Sequence, residues 1–109
     1  MMSETSIAAL AGRAADAAAT LKLIANEQRL LLLCRLTQGE CPVSELVALT
    51  GLSQSAVSQH LARLREGGMV RTRREATTIF YRVADQAVHD LIGMLCERFG
   101  GSMAGTKPS

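Results

Sequence analysis

A chain of 109 residues, 48% of them apolar with a net charge of +2, has room for one domain with a modest core and excludes a low-complexity chain. Trp is absent and aromatic residues make up 3%, so the abundance of Ala and Leu favours helix over an all-β design. No apolar run reaches the length of a membrane span and the N-terminus lacks the pattern of a signal peptide; the chain is expected in the cytoplasm, where three cysteines read as free thiols, ligands or redox switches rather than a secreted disulfide framework.

In chain order, Thr5 to Leu23 is alanine-rich and helix-prone, without strong patterning. In "NEQRLLLLCRLTQGE", Asn26 is placed to cap a second helix and Gly39 to end it. "CPVSELVALTG" predicts a short helix with Pro42 in its first turn, a buried side of Val43, Leu46, Val47 and Leu49, and Gly51 as its stop. Ser53 can cap the next helix, from Gln54 to about Glu66, which ends at Gly67-Gly68. The period then changes. "MVRTRREATTIFYRV" alternates β-branched and aromatic residues around a polar middle at Arg74 to Thr77, as a two-stranded hairpin with a basic tip would. Asp85 can cap a last helix carrying Val88, Leu91, Ile92, Leu95 and Phe99 on one side. The tail "GGSMAGTKPS" has nothing to bury, and residues 101–109 are expected to be disordered. The expected fold is mainly α with a β-hairpin wing, in the order α-α-α-α-β-β-α: an arm over residues 1–20 and one domain over 21–100.

The helix from Gln54 carries the functional signal. Val57, Leu61 and Leu64 recur at i, i+4 and i+7, enough to dock it on a core, while Ser55, Ser58, Gln59, Ala62 and Arg63 fall on the other side. A merely solvated helix would more usually carry Glu and Lys there. Glutamine can bond adenine in a bidentate way, arginine reads guanine, serine serves bases or phosphates, and Ala62 keeps the face low enough to enter a groove. Short helix, turn at Gly51 and polar-faced helix make a helix-turn-helix, and the Arg-tipped hairpin makes it a winged one. Charge points the same way. Ser53 to Arg82 holds six arginines against Glu66 and Glu75, a segment of +4 on a remainder of −2, which suits a polyanion although a solvated basic face would look alike. Gln54, Ser55, Ser58 and Gln59 are the candidate base readers; Arg63, Arg65, Arg73 and Arg74 are the candidate phosphate contacts. His60 fits either a polar contact at the groove edge or a half-buried packing residue.

"VSELVALTGLSQSAVSQHLARLREGGMVRTRREATTIFYRV", with "QRLLLLCRL" before it, resembles the DNA-binding core of the ArsR family of bacterial winged-helix repressors, nearest the branch containing BigR, HlyU and NolR. The likeness spans roughly residues 21 to 100. It implies a homodimer paired through first and last helices, a near-palindromic double-stranded operator, recognition-helix roles for Gln54, Ser55, Ser58 and Gln59, and wing roles for Arg73 and Arg74.

Metal sites of the family are not matched. "ELVALTG" lacks the cysteine pair of one type, and Asp85, His89 and Asp90 lack the companion histidines of the other; no cofactor is expected. Cys34 and Cys96, taken alone, serve as small core residues. The resemblance implies instead a thiol pair that persulfides or oxidants link, with Cys34 in the matching place. Cys96 stands one helical turn, about 5 Å, before the position near Gly100 where that branch carries its second cysteine. Cys41, before Pro42 at a helix start, is expected to be exposed and open to incidental oxidation. Two alternatives stay open: a regulator responsive to arsenite or another thiophilic ion, and a constitutive repressor of the NolR kind. A thiol enzyme would need a C-x-x-C pair or a base beside a cysteine, and the chain offers neither. A protein-interaction module would not need the polar helix face.

Overall fold

The computed structural model describes residues 4–100, with side chains from Ser6 onward; the expectation for residues 101–109 lies outside them. The elements run α1 (Glu4–Gly12), α2 (Ala14–Ile24), α3 (Glu27–Leu36), β1 (Cys41–Pro42), α4 (Val43–Thr50), α5 (Gln54–Glu66), β2 (Val70–Glu75), β3 (Thr78–Val83) and α6 (Gln86–Gly100). This is the mainly α winged helix-turn-helix expected from the sequence.

Local chemistry sets most boundaries. Asn26 accepts from the Arg29 backbone N–H at 3.0 Å, Ser53 from Ala56 at 3.1 Å and Asp85 from Val88 at 3.0 Å, so three predicted caps start α3, α5 and α6. Gly51 closes α4 at φ 72°, in the left-handed region open to glycine. The hairpin turns over Ala76 and Thr77, with Ala76 at φ 57°.

Two features depart from the sequence reading. The single helix expected over Thr5 to Leu23 is two helices broken at Arg13, where Gly12 weakens the helix and the Arg13 N–H bonds back only three residues, to Leu10. And Cys41 with Pro42 does not begin a helix but forms a short strand on the free edge of β3, giving an antiparallel sheet in the order β1-β3-β2 with Cys41 opposite Tyr81.

The core is aliphatic. Leu32, Leu33 and Leu36 of α3, Leu46 of α4, Val57, Leu61 and Leu64 of α5 and Ile92 of α6 are essentially without exposure. Two residues expected on buried sides are exposed: Leu49, and Phe99 at 77%. Phe99 lies in the last turn of α6, whereas Leu49 sits off the buried side of α4, which continues to the half-buried Thr50. Ile7, Leu10, Leu21, Leu31 and Met94 are exposed as well, so the arm, α3 and α6 carry apolar surface that this protomer does not cover. No helix among the described residues is long and apolar enough to cross a membrane.

Candidate nucleic-acid interface and cysteine pair

Helix α5 is docked by Val57, Leu61 and Leu64, so its other side is fixed outward. Gln54, Ser55, Ser58, Gln59, Ala62 and Arg63 are all exposed on it. The side chains of Gln54, Ser55, Ser58 and Gln59 make no hydrogen bond among the described residues, leaving amide and hydroxyl groups free for an external partner. The first turn of α5 holds no acidic residue. Its positive dipole end is therefore uncompensated and suits a phosphate. The three residues between α4 and α5 are ordered by their own backbone bonds: the Gly51 N–H reaches the Val47 carbonyl, and the Leu52 N–H reaches Thr50 Oγ1 at 3.3 Å.

His60 takes the half-buried position. Its Nδ1 lies 3.4 Å from Arg29 Nη1. Burial first, then the Arg29 and Arg63 cations, hold its pKa below the ordinary histidine value.

The wing arginines, adjacent in sequence, differ in surroundings. Strand alternation places Arg73 opposite Phe80 and Arg74 opposite Ile79, on opposite faces of the hairpin. Arg73 Nε donates to both carboxylate oxygens of Glu40, at 2.9 and 3.0 Å, its Nη1 donates to Glu75 at 3.3 Å, and its guanidinium sits 4.7 Å from the Phe80 ring centroid. Hydrogen bonds to the two glutamates raise its pKa further. Arg74 is exposed and, among the described residues, has no ion pair. Arg73, expected as a phosphate contact, is thus paired with acidic side chains on the wing surface while staying exposed, and Glu40 is a residue that sequence reasoning missed. The two lie 33 positions apart, and no local pattern links them.

Cys34 of α3 and Cys96 of α6 are joined by a disulfide, with Cα atoms 6.2 Å apart. The one-turn displacement of Cys96 therefore does not keep the sulfurs apart. Ile92, one turn earlier on α6, is fully buried, and Cys96 extends the same stripe onto α3. An open, mostly apolar cleft of about 470 Å³ runs beside the pair, lined by Leu30, Leu31, Leu95 and Phe99 along with both cysteines. Cys41 is buried outright, contrary to the exposure expected of it. Burial, above all, pushes its thiol pKa up, with Arg35 opposing and Glu45 reinforcing the shift. Its place in β1, paired with β3 and enclosed by the core, makes it a packing residue. His89 donates from Nε2 to the Thr37 carbonyl at 3.0 Å and so ties α6 to the end of α3. No group of three metal-ligating side chains forms among the described residues.

Comparison with known proteins places this geometry. Residues 26–72 match the profile of the bacterial regulatory protein arsR family. The transcriptional activator HlyU of Vibrio cholerae is 49% identical over 81 residues, covering 74% of this chain and 75% of that one. The crystal structure of the repressor BigR from Xylella fastidiosa superposes with a TM-score of 0.76 at 37% identity, over 92% of this chain and 96% of that one. A homodimeric winged helix-turn-helix DNA-binding domain from Mycobacterium bovis gives a TM-score of 0.71 at 30% identity, over 96% and 97%.

Proposed function

The chain belongs to the arsR family of bacterial regulatory proteins, and from that premise we propose that it is a homodimeric, cytoplasmic repressor that holds a near-palindromic operator while its thiols are reduced and releases it once Cys34 and Cys96 are linked. The observation that carries the DNA-reading half is the outer side of α5. Four uncharged polar side chains there, Gln54, Ser55, Ser58 and Gln59, have no hydrogen-bond partner among the described residues. They supply base contacts, while Arg63, Arg74 and the backbone N–H groups at the start of α5 that Ser53 does not cap supply phosphate contacts. The dimer reading is supported by the exposed apolar side chains of the arm, α3 and α6.

The switch half is supported by the placement of Cys34 and Cys96 across the α3–α6 contact. A persulfide supplies the oxidising equivalent. The Cys34 thiolate attacks the outer sulfur of R–S–SH and expels the thiolate R–S⁻, leaving Cys34 as a persulfide. The Cys96 thiolate then attacks the inner sulfur and expels HS⁻. Two thiols are oxidised, and one persulfide is reduced to a thiol and sulfide. The new bond ties α3 to α6, whose exposed side belongs to the proposed dimer contact, and so alters how the two α5 helices are presented. Such coupling requires two states of different operator affinity.

Two experiments test the halves separately. The reduced protein is used to select duplexes from a random-sequence pool, and the winners are titrated across a salt series. A preferred sequence with a steep linear fall of log affinity against log salt is expected, and Gln59→Ala should weaken it by about 1–3 kcal/mol without changing the slope. Absence of any sequence preference defeats the reading. For the switch, persulfide-treated protein is digested with trypsin without reduction. The peptides "LLLLCR" and "VADQAVHDLIGMLCER" should emerge joined; peptides that stay separate, or a Cys34→Ser protein that still releases DNA on treatment, would sink the mechanism.

A further inference from the structure

Arg29 stands at the meeting point of three helices. It belongs to the first turn of α3, its Nε donates to the Leu23 carbonyl of α2 at 2.6 Å, its Nη2 reaches the Lys22 carbonyl at 3.5 Å, and its Nη1 meets His60 Nδ1 of α5 at 3.4 Å. The two carbonyls belong to the last turn of α2, where helix ends leave acceptors unpaired and favour a cation. A second contact joins the same two helices independently. Gly67, at the end of α5, has no Cβ, and a Cβ there would overlap the Leu23 side chain, so Leu23 packs directly on the α5 backbone. Gly67 does not need glycine for its backbone conformation, since its φ is −83°; the missing side chain is what admits Leu23.

We infer that Arg29 is a positioning residue that clamps the end of the arm to the recognition helix, fixing the angle at which α5 is presented to DNA. A guanidinium has donors only, so His60 Nδ1 must accept and the ring is neutral with its proton on Nε2. The lowered pKa of His60 is consistent with that state. A planar fork can span a carbonyl and an imidazole at once; a lysine ammonium carries the same charge but no such fork. The clamp matters because the arm belongs to the proposed dimer contact. A tilt of α5 against the arm would change the separation of two recognition helices that must meet half-sites about 34 Å apart. The inference rests on the DNA-reading assignment above.

The test uses full-length reduced protein and the duplex selected by the wild-type chain. Arg29→Lys is expected to lower affinity about tenfold, the scale of one charge-assisted hydrogen bond, with the salt slope unchanged. ¹⁵N spectra of the imidazole should show His60 as one tautomer in the wild type and as a mixture in the variant, a change that generalised loosening would not confine to this ring. Affinity within twofold of wild type, or a salt slope shallower by one phosphate contact, overturns the clamp, the second because it makes Arg29 a direct DNA contact. Should Arg29→Lys not fold, Gly67→Ala decides: it keeps every cation and displaces Leu23, so lost affinity at constant slope supports the clamp and unchanged affinity overturns it. A wild-type chain without sequence preference overturns both readings, whereas a sequence-selective wild type with an equally selective Arg29→Lys overturns only this one.

Discussion

The recognition helix and the wing present charge and polar groups to the same partner, yet they are held in place by different physics. Helix α5 is set by burial: Val57, Leu61 and Leu64 are fully enclosed, and its outer polar side chains have no hydrogen-bond partners among the described residues. The wing leans on the core through Tyr81 and Val83 of β3 and is otherwise held at its surface. Beyond Val70, only Thr72 of β2 is half-buried, and the outer face is braced by Arg73 against Glu40, Glu75 and Phe80. A module braced by its core can keep its polar face free, whereas one braced at its surface consumes some of the charge it carries.

The largest test of that contrast lies under α5. Leu61→Ala should cost about 2–5 kcal/mol of stability, as cavity-forming core substitutions do, read from denaturant unfolding. No substitution of an exposed wing residue should approach it. A Leu61→Ala protein as stable as wild type would show that α5 is not held by the core.

Next in size is the pair of wing arginines. Arg74→Ala should weaken DNA binding and make the log–log salt plot shallower by about 0.9, the value of one lost phosphate contact. Arg73→Ala should leave the slope alone and lower the melting temperature slightly, because a surface ion pair is lost rather than a phosphate contact. Equal slopes for the two variants would break the distinction. Glu40→Gln sharpens it from the other side. With its main acid gone, Arg73 is released, so binding at low salt should strengthen and the slope should steepen by no more than about 0.9.

The same contrast explains what could be read from the sequence. Features carried by near neighbours were legible: the i, i+4, i+7 stripe of α5, the caps at Asn26, Ser53 and Asp85, and the alternation of the hairpin. Helix-turn-helix and wing follow from those signals. The pairing of Cys34 with Cys96 was suggested by resemblance and not by spacing. Contacts between distant segments were not legible. Glu40 with Arg73 and Arg29 with His60 span 33 and 31 positions, and neither pair has a local pattern. Cys41 was misplaced for a related reason. Pro42 fits a helix start, and only pairing with β3, supplied forty residues later, turns that segment into a buried strand. Phe99 continues its helical stripe in sequence but is exposed in the last turn of α6, and on α4 the half-buried side runs to Thr50 instead of Leu49.

The smallest effect separates the two modules by acidity. The wing, β2 through β3, contains no histidine. Helix α5 contains His60, whose pKa the fold lowers through burial, Arg29 and Arg63. The unfolded chain therefore binds a proton here at a higher pH than the folded chain does. Stability rises with pH wherever the unfolded state holds more protons, so this residue leaves stability intact above about pH 6.5, the ordinary histidine value, and subtracts from it as the pH falls from there through the folded value. Below the folded value the loss levels off. His60→Gln should flatten that part of the melting-temperature profile relative to the wild type. If the wild type instead gained stability relative to His60→Gln on acidification, the imidazolium would be favoured in the fold, and the Arg29 guanidinium could not be facing Nδ1 as a donor.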